Sequence, residues 1–159
     1  MIELLKDWRF VLPNAKLTSM GIIDYLSCGD YAVSDQKILI VGFGNIGFTL
    51  AKLLEANDCR FSIYPMSGEE EKFIHLLGYS VADFKEYDVI INTVPKNLDW
   101  DYNALQKKRI IDVASQPYGF DIEQIERHKI RYEIVSAIPS KFAYASAANI
   151  IKKYIEKFV

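Results

Sequence analysis

Short apolar runs alternate along the chain with stretches whose apolar residues recur at helical spacing. The runs predict six β-strands and the stretches between them predict helices. The predicted strands are Lys37–Val41, Cys59–Tyr64, Tyr79–Ala82, Asp88–Thr93, Arg109–Ala114 and Ile130–Val135. The main predicted helices are approximately Leu17–Cys28, Asn45–Ala56, Glu69–Leu77, Ile122–His128 and Ser140–Phe158. A loop around Pro13–Asn14 and a loop with a short helix over Asn97–Lys107 complete the pattern.

Strands that alternate with helices indicate an α/β protein with a parallel sheet. Right-handed crossovers favour a three-layer, Rossmann-type, doubly wound sheet with the strand order 3-2-1-4-5-6. The first and last predicted helices would flank this sheet. We expect residues 1–159 to form a single Rossmann-type NAD(P)-binding domain.

The most specific signal is the glycine spacing Gly42, Gly44 and Gly47 between the first predicted strand and its helix. In this G-x-G-x-x-G pattern the first glycine permits a tight turn. The second lets a pyrophosphate approach the backbone, and the third lets helix and strand pack closely. The helix N-terminus offers N–H groups and partial positive charge to phosphates.

Ligands of such sheets bind beyond the carboxyl ends of the strands. The candidate cofactor residues at those ends are Gly42, Phe43, Gly44, Asn45, Ile46, Gly47, Tyr64, Met66, Ser67, Asn92, Thr93, Val94 and Pro95. The candidate substrate-side residues are Asp112, Ser115 and Lys141. Catalytic residues stay unassigned, because the sequence shows no Cys-His, Ser-His-Asp or metal-ligand spacing.

Several of these residues have a purely structural alternative. Ser67 has the position of a helix N-cap, and Lys141 fits a solvated lysine as well as a carboxylate-binding one. Asp112 either organises the loop containing Ser115 or only accepts backbone N–H groups there. The end of the second strand carries Met66 and Ser67 instead of the acid that binds an NAD ribose or the arginine that binds an NADP phosphate. The choice between NAD and NADP is therefore open.

Composition narrows the function further. A net charge of −2 argues against nucleic-acid binding, which needs a concentrated basic face. No apolar run approaches the roughly 20 residues of a membrane helix. Two cysteines without ligand spacing fit a reduced, cytoplasmic protein.

Five segments in this order resemble the nucleotide-binding half of the dipicolinate synthase A subunit. They are Leu17–Gly21, Val41–Ala51, Asn92–Pro95, Ile111–Asp121 and Ile138–Ala143. The resemblance implies a cytoplasmic, NADP(H)-dependent oxidoreductase that acts on a dihydrodipicolinate-like cyclic carboxylate and works with a second, flavoprotein-like subunit.

The chain also departs from that family. The family's separate N-terminal domain corresponds here to about a dozen residues. An acid is missing from Thr18–Gly21, an arginine near Met66, and a lysine from Tyr144–Ser146. Two hypotheses therefore compete: an NAD(P)-dependent oxidoreductase, and a catalytically silent nucleotide-binding or scaffold subunit that needs a partner. Either one predicts a homodimer or a second subunit, with contacts through the N-terminal segment or through Tyr144, Tyr154 and Phe158. A methyltransferase fits poorly, because the second strand lacks the ribose-binding acid.

Overall fold

The computed structural model describes residues 6–29, 31–83 and 85–156. The strands are β1 (Ile38–Val41), β2 (Phe61–Tyr64), β3 (Val89–Asn92), β4 (Arg109–Asp112) and β5 (Arg131–Ile134). The helices are α1 (Trp8–Ser27), α2 (Asn45–Ala56), α3 (Gly68–Leu76), α4 (Ile122–Arg127), α5 (Ile138–Phe142) and α6 (Tyr144–Ile155).

Within the described residues, five parallel strands form one sheet in the order β2-β1-β3-β4-β5. All four residues of β1 are fully buried, because helices cover both faces of the sheet. Ile38 and Ile40 face a core shared with α1, α2 and α3, whereas Leu39 and Val41 face a second core that includes Trp100. The predicted α/β Rossmann-like parallel sheet is confirmed.

The predicted third strand at Tyr79–Ala82 is wrong. Only an isolated parallel bridge joins Val81 to Ile63, through one hydrogen bond on each side of Ile63. In the described residues, the chain therefore runs beside β2 too briefly there to form a strand. The other predicted strands keep their predicted order, so the sheet lacks only that edge.

The first helix begins well before the predicted Leu17. Asp7 caps α1 by accepting a hydrogen bond from the backbone N–H of Arg9 at 2.9 Å. The loop predicted at Pro13 is wrong, because Pro13 lies inside this helix. A proline removes one helical hydrogen bond, which is why its position predicts a loop. The helix continues through Pro13, with Phe10 before it and Ile22 after it buried on its inner face.

In the C-terminal half, the structure differs from the sequence prediction at two further points. Residues 97–107 form turns and no helix, and the long helix predicted from Ser140 is divided at Ala143, whose φ of −146° is not helical. Both halves pack against α1, and the bend at Ala143 allows this. α5 approaches α1 so closely that a Cβ on Gly21 would lie 2.2 Å from Ile138 Cγ2. The predicted end near Phe158 lies outside the described residues.

Tyr154 belongs to the core and is not available for a partner. Its side chain is 4% exposed, its ring lies against Phe10, and its hydroxyl donates to Asp7. Tyr144, in contrast, is 77% exposed. No helix in the described ranges is long and apolar enough to cross a membrane.

Candidate functional site

The glycine turn follows β1 with a geometry that only glycine accommodates at its first position. Gly42 has φ +85°, and a Cβ there would lie 2.4 Å from Val94 Cγ2. Its N–H donates to the Tyr64 carbonyl at 2.9 Å and so ties the turn to the end of β2. The turn is therefore held between the ends of β2 and β3.

Gly47 sets how closely α2 packs on this turn. A Cβ on Gly47 would lie 2.2 Å from the carbonyl oxygen of Gly42. Any side chain would push the helix away from the strand. The first turn of α2 is consequently held directly above the end of β1.

Gly44 differs from both, because nothing in the described part of the chain requires it to be glycine. Its φ is −71°, which any residue adopts, and a Cβ there would meet no atom of the described residues within 4 Å. Gly44 has no side chain to cap α2, and the first N–H groups of an α-helix have no intrahelical partners. We call the open space at Gly44 and these N–H groups the cradle, because N–H groups at helix N-termini commonly bind anions.

A cleft of about 420 Å³ extends from this cradle across the carboxyl ends of the central strands. It is lined by residues from the glycine turn, from the ends of β2 and β3, from α1 and from α3. These residues are Val11, Asn14, Ala15, Gly42, Gly44, Asn45, Ile46, Met66, Glu70, Thr93, Val94 and Pro95. Eight of them are sequence-predicted cofactor residues.

Four lining residues were missed by the sequence analysis. Val11, Asn14 and Ala15 have the spacing of one helical face, but Pro13 suggested a loop there and hid it. Glu70 carried a usable signal, because Ser67 and Glu70 have the spacing of a capping box. Ser67 Oγ accepts from the Glu70 N–H at 3.1 Å, and Glu70 Oε2 accepts from the Met66 N–H at 2.8 Å.

The remaining cofactor candidates lie next to the cleft lining. Phe43 is buried against Phe48, Phe73 and Tyr79, and Gly47 lies under the turn. Tyr64 is half-buried beside Trp100, and Ser67 is exposed as the cap of α3.

Asn92 is fully buried and connects β3 with β4. Its Nδ2 donates to Asp112 Oδ1 and to the Val94 carbonyl, both at 3.0 Å, and its Oδ1 accepts from the Val94 N–H at 3.1 Å. Thr93 donates its hydroxyl to the Val41 carbonyl at 2.8 Å. Asn92 and Thr93 thus fix the backbone conformation of the segment that lines the cleft.

Asp112 is also fully buried and accepts four hydrogen bonds. The donors are Asn92, the N–H groups of Ala114 and Gly119, and the Tyr132 hydroxyl, all within 3.0 Å. Burial, with the adjacent Asp112 carboxylate, raises the pKa of Tyr132. Asp112 therefore bonds to the backbone of the loop after β4, as both sequence interpretations of this residue expect.

The other two substrate-side candidates lie apart from the cleft lining. Ser115 is exposed in the loop after β4. Lys141 is exposed on α5 and lines a separate groove of about 550 Å³ with Tyr25, Ile138 and Phe142. The structure therefore does not bring Asp112, Ser115 and Lys141 together around the glycine turn.

Titratable groups are scarce at the cleft. In the described part of the chain, Glu70 is the one lining residue with an ionisable side chain. The described residues also contain no group of three or more His, Cys, Asp or Glu side chains able to hold a metal ion. The described lining of the cleft therefore supplies no evident acid–base pair.

A larger cavity of about 600 Å³ lies at the opposite end of the sheet, near the starts of β3, β4 and β5. Arg109 and Arg131 line it, and both guanidinium groups are hydrogen-bonded to Glu133. Ligands of doubly wound sheets bind at the carboxyl ends of the strands, so the cleft at Gly44 is the better candidate.

Comparison with known proteins gives a consistent assignment. Residues 13–114 match the model of the D-isomer specific 2-hydroxyacid dehydrogenase, NAD binding domain. The A subunit of dipicolinate synthase from Bacillus subtilis (strain 168) is 24% identical over 158 residues, which cover 93% of this chain and 52% of that protein. The resemblance inferred from the sequence segments is confirmed.

Two solved structures show the same fold. The A subunit of dipicolinate synthase from Bacillus halodurans has a TM-score of 0.87 at 22% identity, over 99% of this chain and 58% of that one. The A chain of dipicolinate synthase from Bacillus subtilis has a TM-score of 0.83 at 23% identity, over 99% and 56%. The chain thus spans about half the length of the relatives it matches.

Proposed function

The chain belongs to the family of D-isomer specific 2-hydroxyacid dehydrogenase NAD-binding domains, and from this premise we propose that it binds a nicotinamide dinucleotide in the cleft at Gly44. The observation that carries the proposal is the space above Gly44. Fold and backbone conformation both tolerate a side chain there, yet the residue is glycine. A bound pyrophosphate accounts for that choice, because it would occupy the volume of a Cβ.

The pyrophosphate would be held by the N–H groups at the start of α2. Asn45 and Ile46 line the cleft at this point, and the helix dipole adds partial positive charge. No lysine or arginine lines the cleft in the described residues, so backbone groups would provide most of the attraction. The open turn suits this role, since a ligand can approach the Gly44 backbone without displacing a side chain.

Thr93, Val94 and Pro95 would border the nicotinamide side. Their backbone is fixed from beneath by Asn92, and the Thr93 hydroxyl is anchored to β1. A rigid, mostly apolar wall suits a cofactor that must be positioned. The hydride chemistry would come from the bound cofactor, while this chain binds it, orients it and keeps water from one side of it.

We further propose that this domain provides the cofactor half of an oxidoreductase acting on a cyclic carboxylate, in the cytoplasm. The curated relative is named as part of a dipicolinate synthase, and that name is the basis for the substrate class. Such a substrate requires cationic partners, and no cation lines the cleft in the described residues. The substrate-binding groups would therefore come from elsewhere in the protein or from a partner.

A catalytically silent dinucleotide-binding or scaffold subunit is the second candidate. The absence of a lining acid–base pair within the described residues favours it. The two candidates differ in one assay: reduction of NAD or NADP in the presence of dihydrodipicolinate and of the candidate second subunit. Turnover supports the oxidoreductase, whereas dinucleotide binding without turnover supports the silent subunit.

The binding proposal is tested by thermal unfolding of the purified protein with NAD, NADH, NADP or NADPH. A ligand of the folded state present at about 100 times its Kd adds about 2.7 kcal/mol to the free energy of unfolding. We expect a clear rise in Tm with at least one of the four. No rise with any of them at millimolar concentration would contradict the proposal.

We also propose a homodimer or a second subunit, on the basis of exposed aromatic residues near both ends of the described chain. Trp8 is 71% exposed and Tyr144 is 77% exposed. Sedimentation velocity at micromolar concentration should show a dimer, and a monomer would contradict the homodimer.

We expect one cooperative unfolding transition if residues 1–159 form a single domain.

A further inference from the structure

We propose that Glu70 makes the cleft select NAD(H) over NADP(H). The inference rests on the proposed dinucleotide binding and adds the specificity of the adenosine end. Glu70 lies on α3, a helix that contains none of the site residues predicted from the sequence. The inference also runs against the NADP(H) preference that the resemblance to the dipicolinate synthase A subunit implies.

Glu70 lies near the end of β2, the position at which doubly wound folds carry the acid that binds the ribose. In doubly wound folds that acid follows the second strand and binds the ribose 2′-hydroxyl. Here β2 ends at Tyr64, and the backbone N–H of Met66 donates to Glu70 Oε2 at 2.8 Å. The carboxylate is therefore fixed against the end of β2, although it comes from the first turn of α3.

The second carboxylate oxygen has capacity to accept a further hydrogen bond. Glu70 is half-buried and lines the cleft, and Oε1 accepts no hydrogen bond from the described residues. A ribose hydroxyl can donate to such an oxygen. The 2′-phosphate of NADP cannot, and would instead bring negative charge beside a held carboxylate.

The cleft lining provides no cation that could offset that repulsion. Among the described residues, none that lines the cleft is a lysine, arginine or histidine. Glu69 and Glu71, the other acids in the first turn of α3, do not line the cleft. A 2′-phosphate in the cleft would therefore meet the Glu70 carboxylate and no cation, whereas a 2′-hydroxyl would meet an acceptor.

The experiment compares Kd values for NADH and NADPH, measured by fluorescence titration of the wild-type protein and two variants. Glu70→Gln keeps an oxygen that can accept from the Met66 N–H and removes only the charge. Glu69→Gln removes a charge from the same turn without touching the cleft lining, so it is the matched control. We expect wild-type Kd values to favour NADH by about tenfold or more, because like-charge contact costs at least the equivalent free energy.

We expect Glu70→Gln to reduce that ratio several-fold, chiefly by tightening NADPH binding, and Glu69→Gln to leave it within about twofold. Equal wild-type Kd values, tighter NADPH binding, or equal effects of the two variants would overturn this inference and leave the proposed function intact. Binding of neither dinucleotide would overturn both.

Discussion

The Asn92 amide donates to the Asp112 carboxylate at 3.0 Å, and both side chains are completely buried at the ends of neighbouring strands. Gly119 packs against this pair so closely that a Cβ there would lie 2.3 Å from Asn92 Nδ2. The indole N–H of Trp100 donates to the Gly119 carbonyl at 2.7 Å and so adds Trp100 to this group of buried residues. A single polar cluster thus positions both the segment lining the cleft and the loop after β4.

Asp112→Ala should lower the free energy of unfolding by about 3 kcal/mol or more. The substitution leaves the Asn92 amide, two backbone N–H groups and the Tyr132 hydroxyl without their acceptor, and each buried unsatisfied group costs about 1–3 kcal/mol. Urea unfolding measures the change. The exposed Asp24→Ala on α1 should stay within about 0.5 kcal/mol, and similar losses for both variants would contradict the role of the cluster.

Gly47→Ala should destabilise the fold by about 2 kcal/mol, because the added Cβ meets the Gly42 carbonyl oxygen and forces α2 outward. Gly68→Ala is the matched control. Gly68 also lies in the first turn of a helix, but an added Cβ there meets no described atom within 4 Å. We expect that control to change stability by less than about 1 kcal/mol. Equal midpoints for the two variants in urea would argue against close packing at Gly47.

Lowering the pH should reduce the free energy of unfolding, because the Glu133 carboxylate becomes protonated. Burial raises the pKa of this carboxyl, but hydrogen bonds from Arg109 and Tyr25 and the charges of Arg109 and Arg131 outweigh burial and hold the pKa at about 2. The carboxylate therefore adds stability above the ordinary value of 4.5, and this contribution is lost as pH falls from 4.5 to 2.

Stability curves should show that loss directly. Between pH 6 and pH 2, wild type should lose on the order of 2 kcal/mol more than Glu133→Gln, which has no carboxylate to protonate. Glu126→Gln, at an exposed position on α4, should follow the wild-type curve. Parallel curves for wild type and Glu133→Gln would contradict the assignment.

Elements with local signals at both ends were predicted closely from the sequence. α2 has its predicted bounds, Asn45–Ala56, because the glycine turn starts it and Asn57–Asp58 ends it. Ser67 caps α3, as its position in the sequence indicated, since a capping side chain bonds to its own neighbours. The relative order of the five observed strands also agrees with the predicted order, which follows from general handedness rules, whereas the predicted third strand, at the edge, is absent from the described residues.

Features that depend on distant residues were not predictable in the same way. Pro13 lies within α1, and that helix packs on α2, α5 and α6. These contacts join residues that are far apart in the sequence, so the sequence around Pro13 does not predict them. The division at Ala143 depends on how both C-terminal helices pack against α1. Glu70 is different, because its spacing from Ser67 is a local signal and its carboxylate bonds to the nearby Met66 N–H.

The most direct test of the account is the dinucleotide affinity of Gly44→Val. A valine at this position should leave the protein folded, because its φ is ordinary and an added Cβ meets no atom within 4 Å. Gly68→Val, at the start of α3, is the matched control. Titration with the tightest-binding dinucleotide should show binding weakened by at least about a hundredfold in Gly44→Val, since the side chain would fill the pyrophosphate position. Gly68→Val should bind like wild type. Undiminished binding by a folded Gly44→Val protein would contradict the proposed site.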